Sequence, residues 1–473
     1  MAFSTLIFPF AVLPLTLLLY VIVPKRLLWL KNTVLLLCSL VFFAWGEPAY
    51  LVLMALSLLF NYFSGLQIDS AMYDEKFRKA KLILTSSVVV NLLLLGFFKY
   101  YGFLASNVGA LFGQEWTVQE LPAPIGLSFF TFSILSYLFD VYRDKAPVAE
   151  NFLNFSLYVT FFPKLTSGPI VQYADMEAQL YERKMTWGKF GAGSRLFLIG
   201  LSKKILLANT LGVTFYAVSG LPLSSVSTVT AWLGAICYTL MLYFDFGGYS
   251  DMAVGLGKMF GFDWQKNFDY PYCANSITDF WRRWHISLSS WFRDYVYIPL
   301  GGSREGTGRT IRNLLIVWLL TGIWHGANWT FIFWGLYYGA LLLLEKFVFN
   351  RVLHRIPSFI RRFFTLLLVV VGWVFFFSPD LGTAFGWLGR MLGGGEAGFL
   401  DATAKYYLSG CWLIVLISVI ASAPWVANFG NRCLMRKDGT WRTVSVVLFA
   451  ILFLLCIAGM MNATYSTFLY FQF

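Results

Sequence analysis

The chain has 473 residues, 58% of them hydrophobic and only 13% charged, with a mean hydropathy of +0.66; this excludes an ordinary soluble globular domain and describes a polytopic membrane protein. A net charge of +12 raises the question of nucleic acid, but the Lys and Arg residues lie between apolar runs rather than on a polar module. Nucleic acid is therefore excluded as a partner, and membrane lipids are the expected surroundings.

A spanning helix needs roughly 20 apolar residues, so an all-α fold of about ten to twelve transmembrane helices is expected, with re-entrant and interfacial helices around a central passage. The runs are continuous rather than alternating, which excludes a membrane barrel. A single integral membrane domain is expected, with N-terminal helices in 1–122, a core in 123–350 and C-terminal helices in 351–473. The first run, Phe3 to Val23, precedes Pro24-Lys25-Arg26 and has no basic residue before it. That order argues against a cleavable signal and, by the positive-inside rule, sets the N-terminus outside.

Apolar runs follow at 32–45, 50–68 and 82–104, and then a loop from 105 to 121 that carries Glu115 and Glu120 but no Lys or Arg. That loop belongs outside. A span from 125 to 141 returns to Arg143 and Lys145. The next run, 152–171, has cationic flanks at both ends and contains Pro163, Lys164, Gly168 and Pro169, so a broken or re-entrant segment is expected. Lys164 either snorkels to an interface or binds a donor phosphate.

A polar stretch from 173 to 189 reads as a surface helix and loop, with spans after it at 195–218 and 226–247. The second span ends in Asp245-Phe246-Gly247-Gly248-Tyr249-Ser250-Asp251, where two glycines between carboxylates should interrupt the helix. Asp245 either orients a histidine or a polar substrate, or is a helix-end carboxylate. In the basic region that follows, Trp281, Trp284, Leu288, Trp291, Phe292 and Tyr295 recur at helical spacing, opposite Arg282, Arg283 and Arg293. This is the pattern of an interfacial helix.

Residues 313–349 form two apolar runs joined by His325-Gly326-Ala327-Asn328. The first run is only about 12–14 residues, short of the roughly 20 that cross a bilayer, so the turn and His325 should lie inside the protein. Spans at 363–378, 408–430 and 443–462 complete the chain, and His354, between Arg351 and Arg355, reads as an inner-surface residue. Of the 36 Lys and Arg residues, only Lys99, Lys164, Arg390 and Lys405 fall off the inner side, a bias that agrees with the frame. The six cysteines show no ligand spacing; they read as core residues, and no metal is expected. No inverted repeat of transporter type is present.

Two of the three histidines fall between residues 277 and 340. Imidazole takes and returns a proton near neutral pH, and an ionisable group at membrane depth marks a functional site by default. Either these imidazoles are catalytic, or they are neutral rings bonding a facing helix. His285 reads as an interface residue and His325 as a buried one. No G-x-S-x-G elbow accompanies them, which disfavours a serine triad.

The segments PIGLSFFTFSILSYLFDVYR (124–143), FFPKLTSGPIVQY (161–173), YFDFGGYSDMAVGLGKMFGF (243–262), FWRRWHISLSSWFRDYVYIPLGG (280–302) and TGIWHGANWTFIFWG (321–335) together resemble the membrane-bound O-acyltransferase family, in its bacterial polysaccharide-modifying branch. The resemblance implies that His325 is the catalytic histidine and His285 its partner position. Candidate substrate-binding residues are Trp324, Asn328, Asp245, Lys164, Arg282 and Arg283.

The resemblance further implies an O-acetyltransferase of the bacterial inner membrane with no permanently bound cofactor. Its donor would be acetyl-CoA or another acyl thioester, its acceptor an exported polysaccharide, alginate first. An extracytoplasmic acetyltransferase or acceptor protein would be its partner. D-alanyl transfer to teichoic acid is the second enzyme reading, and a proton-coupled transporter or flippase is the reading of another class.

Overall fold

The computed structural model describes residues 2–114, 116, 118, 121–353, 355–435 and 439–462. Glu115, Glu120 and His354 lie outside the described residues, as does the side chain of Cys433. Among the described residues every regular element is helical. Eight helices among the described residues are long and apolar enough to cross a membrane, and shorter apolar ones occupy Phe8–Ile22, Leu28–Ala44 and Leu127–Tyr142. The protein is an all-α, multi-pass membrane protein. Its chain gathers into two compact units, Met1–Phe197 with Met252–Gln265, and Leu198–Asp251 with Lys266–Phe473.

The first unit contains α1 (Leu13–Ile22), α2 (Leu28–Ala44), α3 (Leu51–Tyr73), α4 (Phe77–Leu111), α5 (Leu127–Tyr142), α6 (Phe152–Thr160), α7 (Phe162–Leu165), α8 (Tyr173–Tyr181) and most of α9 (Trp187–Ser202). Helices α3 and α4 are joined by a reciprocal amide pair: Asn61 Nδ2 donates to Asn91 Oδ1 at 3.2 Å, and Asn91 Nδ2 to Asn61 Oδ1 at 2.7 Å. Buried amides are tolerated because each meets the other's need.

The 152–171 segment is broken, as its prolines require: α6 stops at Thr160, and Phe161 leaves the helical region at φ −55°, ψ 114° before α7 begins. That bend turns Lys164 inward. The residue is 3% exposed, and its ammonium donates to Ser133 Oγ on α5 at 2.9 Å and lies 4.3 Å from the Tyr158 ring centroid. The snorkelling alternative is thereby corrected.

The second unit opens with a π-helical turn, Lys203–Ala208, and α10 (Asn209–Ser219), followed by α11 (Thr228–Met259), whose last turns belong to the first unit. Helix α11 runs unbroken through Gly247-Gly248, against the expected interruption. Gly248 serves close packing instead. A Cβ there would stand 2.7 Å from the Gly200 carbonyl oxygen, so the glycine admits a neighbouring backbone and the helix keeps its hydrogen bonds.

Next come α12 (Ile277–Arg283), α13 (Ile286–Phe292), α14 (Thr307–His325), α15 (Trp329–Leu344) and α16 (Asn350–Leu353). The unit closes with α17 (Ser358–Phe377), α18 (Leu381–Met391), α19 (Ala402–Ala421), α20 (Pro424–Met435) and α21 (Gly439–Asn462). The 408–430 run is thus two helices, divided just before Pro424, which cannot continue a helix.

The expected interfacial helix is also two pieces, α12 and α13, broken at Trp284-His285. Trp281, Trp284, Leu288, Trp291, Phe292 and Tyr295 are all buried. They pack on protein, because the break lets two short helices present apolar faces in different directions.

Candidate active site

The site is built on the α14–α15 hairpin and on the break between α12 and α13. In the hairpin, Asn328 caps α15 by accepting from Thr330 N at 3.0 Å, and its Nδ2 donates to the Pro379 carbonyl at 2.7 Å. Both ends of that side chain are spent on the turn. Gly322 and Gly335 let the two helices touch: a Cβ on Gly322 would meet the Phe331 carbonyl oxygen at 2.4 Å, and one on Gly335 the Trp318 carbonyl oxygen at 2.4 Å. His325 is the last residue of α14. It is 6% exposed, with its ring 4.9 Å from Trp334 and 5.1 Å from Phe376, centroid to centroid.

His285 sits in the break with φ 45°, ψ 54°, a left-handed conformation. It is 1% exposed and therefore not the interface residue expected. The left-handed turn points the ring inward, 4.7 Å from Phe246 and 6.5 Å from Phe268. Trp324 joins the two imidazoles: its ring lies 6.1 Å from His285 and 4.8 Å from His325.

Asp245, one residue before Phe246, is buried and accepts from Lys204 Nζ. Lys203 pairs with Asp251 at 2.6 Å. The π-helical turn presents both ammoniums to α11, so Asp245 is the acceptor of a buried ion pair. A buried Lys204 was open to detection as an ionisable residue inside an apolar run.

A cavity of about 780 Å³ opens beside this centre, with His285 in its wall together with Trp281, Leu288, Trp318 and Thr321. Its polar part holds Arg282, Arg293, Lys346 and Arg361. The carboxylates there are occupied: Asp279 pairs with Arg283 at 2.7 Å, and Glu345 accepts from the N–H groups of Ile277 at 2.7 Å and Thr278 at 3.2 Å, at the start of α12. Arg293 pairs with Asp294.

Arg282, Lys346 and Arg361 form no ion pair among the described residues, and Arg361 Nε is sealed from solvent without a hydrogen-bond acceptor. Of the candidate binding residues, Arg282 lines the cavity, while Trp324, Arg283, Asn328, Asp245 and Lys164 do not, and of the two histidines His285 lines it and His325 does not. Lys346 and Arg361 were missed, because nothing local to α15–α17 marks them off from other inner-flank cations. Among the described residues no group of His, Cys, Asp and Glu could hold a metal ion.

The model of the membrane-bound O-acyltransferase (MBOAT) family matches residues 49–380. The chain belongs to that family. This acyltransferase is 39% identical to the probable alginate O-acetylase AlgI of Pseudomonas putida over the full length of both chains. It is 44% identical to the protein of that name from Azotobacter vinelandii, over 84% of this chain and 79% of the relative. It is also 36% identical to the peptidoglycan O-acetyltransferase of Helicobacter pylori, over 83% of this chain and 80% of the relative.

For an O-acyltransferase the arrangement supplies two things the chemistry needs. An imidazole can take the proton of an acceptor hydroxyl as its oxygen attacks the acyl carbonyl. A cavity with unpaired cations can seat an anionic donor.

Proposed function

We propose that this acyltransferase moves acetyl groups from a cytoplasmic thioester, acetyl-CoA, toward an exported polysaccharide, alginate in the first instance. The observation that carries the reading is the cavity, lined by His285 together with the cations Arg282, Lys346 and Arg361. Those cations lie in segments that the positive-inside rule assigns to the cytoplasmic side of a bacterial inner membrane, with the N-terminus outside. A phosphate-bearing thioester is a donor that would use both the imidazole and the cations.

In the reaction, His325 accepts the hydroxyl proton while the hydroxyl oxygen bonds to the thioester carbonyl carbon. The C–S bond then breaks and the thiolate leaves with a proton, giving an ester and a free thiol. His285, on the donor side, steadies the carbonyl. An extracytoplasmic partner receives the acetyl group or completes its delivery to the sugar.

The similarity to a peptidoglycan O-acetyltransferase supports a second acceptor, the glycan of the cell wall. One experiment separates them. The chain is expressed in an alginate-producing host that lacks its own membrane acetylase, and ester-linked acetate is measured on alginate and on muramic acid. Acetate on alginate that disappears with His325→Ala is expected. Acetate on muramic acid alone would move the acceptor to the cell wall, and acetate on neither polymer, with folded protein in the membrane, would reject the reading.

A further inference from the structure

The left-handed turn at His285 has no cap of its own. Helix α13 begins without a side-chain hydrogen bond from its N-cap, which leaves the first backbone N–H groups in need of acceptors. A residue with a side chain keeps such a backbone conformation only when its surroundings hold it. One buried residue from another part of the chain does this.

Asn267 is 2% exposed. Its carbonyl oxygen accepts from Ile286 N at 2.9 Å, and its Oδ1 accepts from Ser287 N at 3.1 Å and from Ser287 Oγ at 2.9 Å. Its Nδ2 donates to Ser250 Oγ on α11 at 3.0 Å. On the other flank of the break, Asp269 N donates to the Arg283 carbonyl at 2.9 Å, and Arg283 Nη1 to the Asp269 carbonyl at 3.3 Å. Asn267 and Asp269 therefore grip the chain immediately after and before the Trp284-His285 break.

We infer that Asn267 is a positioning residue for the acyl transfer, fixing the His285 imidazole against the donor cavity by capping α13 from outside the helix and anchoring that cap to α11. The inference rests on the reading that His285 serves the donor. Its amide fits the task because one side chain both accepts from α13 and donates to α11. Any acceptor-free side chain of similar size leaves the N–H of Ser287 and the Oγ of Ser250 to find new partners, and lets the turn relax.

The test uses membranes containing the full chain and its polymer acceptor, with acetyl-CoA labelled in the acetyl group as probe, and reads kcat and KM separately. Asn267→Ala is expected to lower kcat about 10- to 100-fold, the scale of a 1 Å misplacement, and to leave the KM for acetyl-CoA within about 2-fold, because the cavity cations are untouched. Asn267→Asp keeps the acceptor for Ser287 and can take a hydrogen bond from Ser250, so it should recover most of the rate. Wild-type kcat in Asn267→Ala would overturn the proposal. So would a loss that Asn267→Asp fails to recover in protein eluting as wild type from a sizing column.

His285→Ala is the reference arm. A slow His285→Ala beside a normal Asn267→Ala overturns the clamp alone. A full-rate His285→Ala removes the role of the imidazole and overturns the clamp with it.

Discussion

The two imidazoles of the site are held in opposite ways. His325 ends a regular helix and is wedged among Trp324, Trp334 and Phe376, whereas His285 occupies a left-handed turn against Phe246. Replacing His325 by Ala should lower acetyl transfer by about 10²- to 10⁴-fold, the usual worth of a positioned general base, with the protein still extractable as a folded species; polymer acetate content checks it. Arg361 lines the cavity instead. Arg361→Ala should raise the KM for acetyl-CoA roughly 10-fold, as expected for loss of one charge-assisted hydrogen bond, and leave kcat nearly unchanged. The burial of His325 was legible, because a run too short to cross ends in a Gly-containing turn. That of His285 was not: aromatic residues at helical spacing describe one lipid-facing helix or two short protein-facing ones equally well.

At the scale of elements, glycine and charge act through packing rather than through local propensity. Gly247-Gly248 reads locally as a helix breaker, yet α11 continues because Gly248 receives the Gly200 backbone. Pro163 and Pro424 do mark breaks, each standing in the first turn of a new helix, where its missing N–H costs nothing.

The Gly322–Gly335 contact should be similarly unforgiving. Gly322→Val should cost about 1–3 kcal/mol through overpacking and lower the thermal midpoint in detergent, with activity falling as α14 shifts His325. For the buried Lys204–Asp245 pair, Asp245→Ala should destabilise by about 3–5 kcal/mol because it strands a buried ammonium. The double change of Lys204→Met with Asp245→Leu should restore most of the midpoint. A double variant no more stable than the single one would show that the pair contributes through more than charge balance.

For the whole molecule, composition alone settled the class, and the family's motifs cover the site. The proposed topology orders the loops by cation placement. A cysteine introduced at Gly394 should react with a membrane-impermeant maleimide in intact cells, whereas one at Ser303 should react only after permeabilisation; the reverse pattern would invert the topology. What the sequence left open was which cations line the cavity. Arg282 from α12 and Arg361 from α17 both line the cavity, a relation set by folding and invisible to local pattern.

The most direct measurement supplies acetyl-labelled acetyl-CoA to sealed inside-out vesicles containing the chain, the proposed extracytoplasmic partner and polymer acceptor, and follows label into luminal polysaccharide ester. The account predicts label in the polymer with wild-type protein and only background with His325→Ala. Equal labelling by the two, or none with folded wild-type protein, would contradict it.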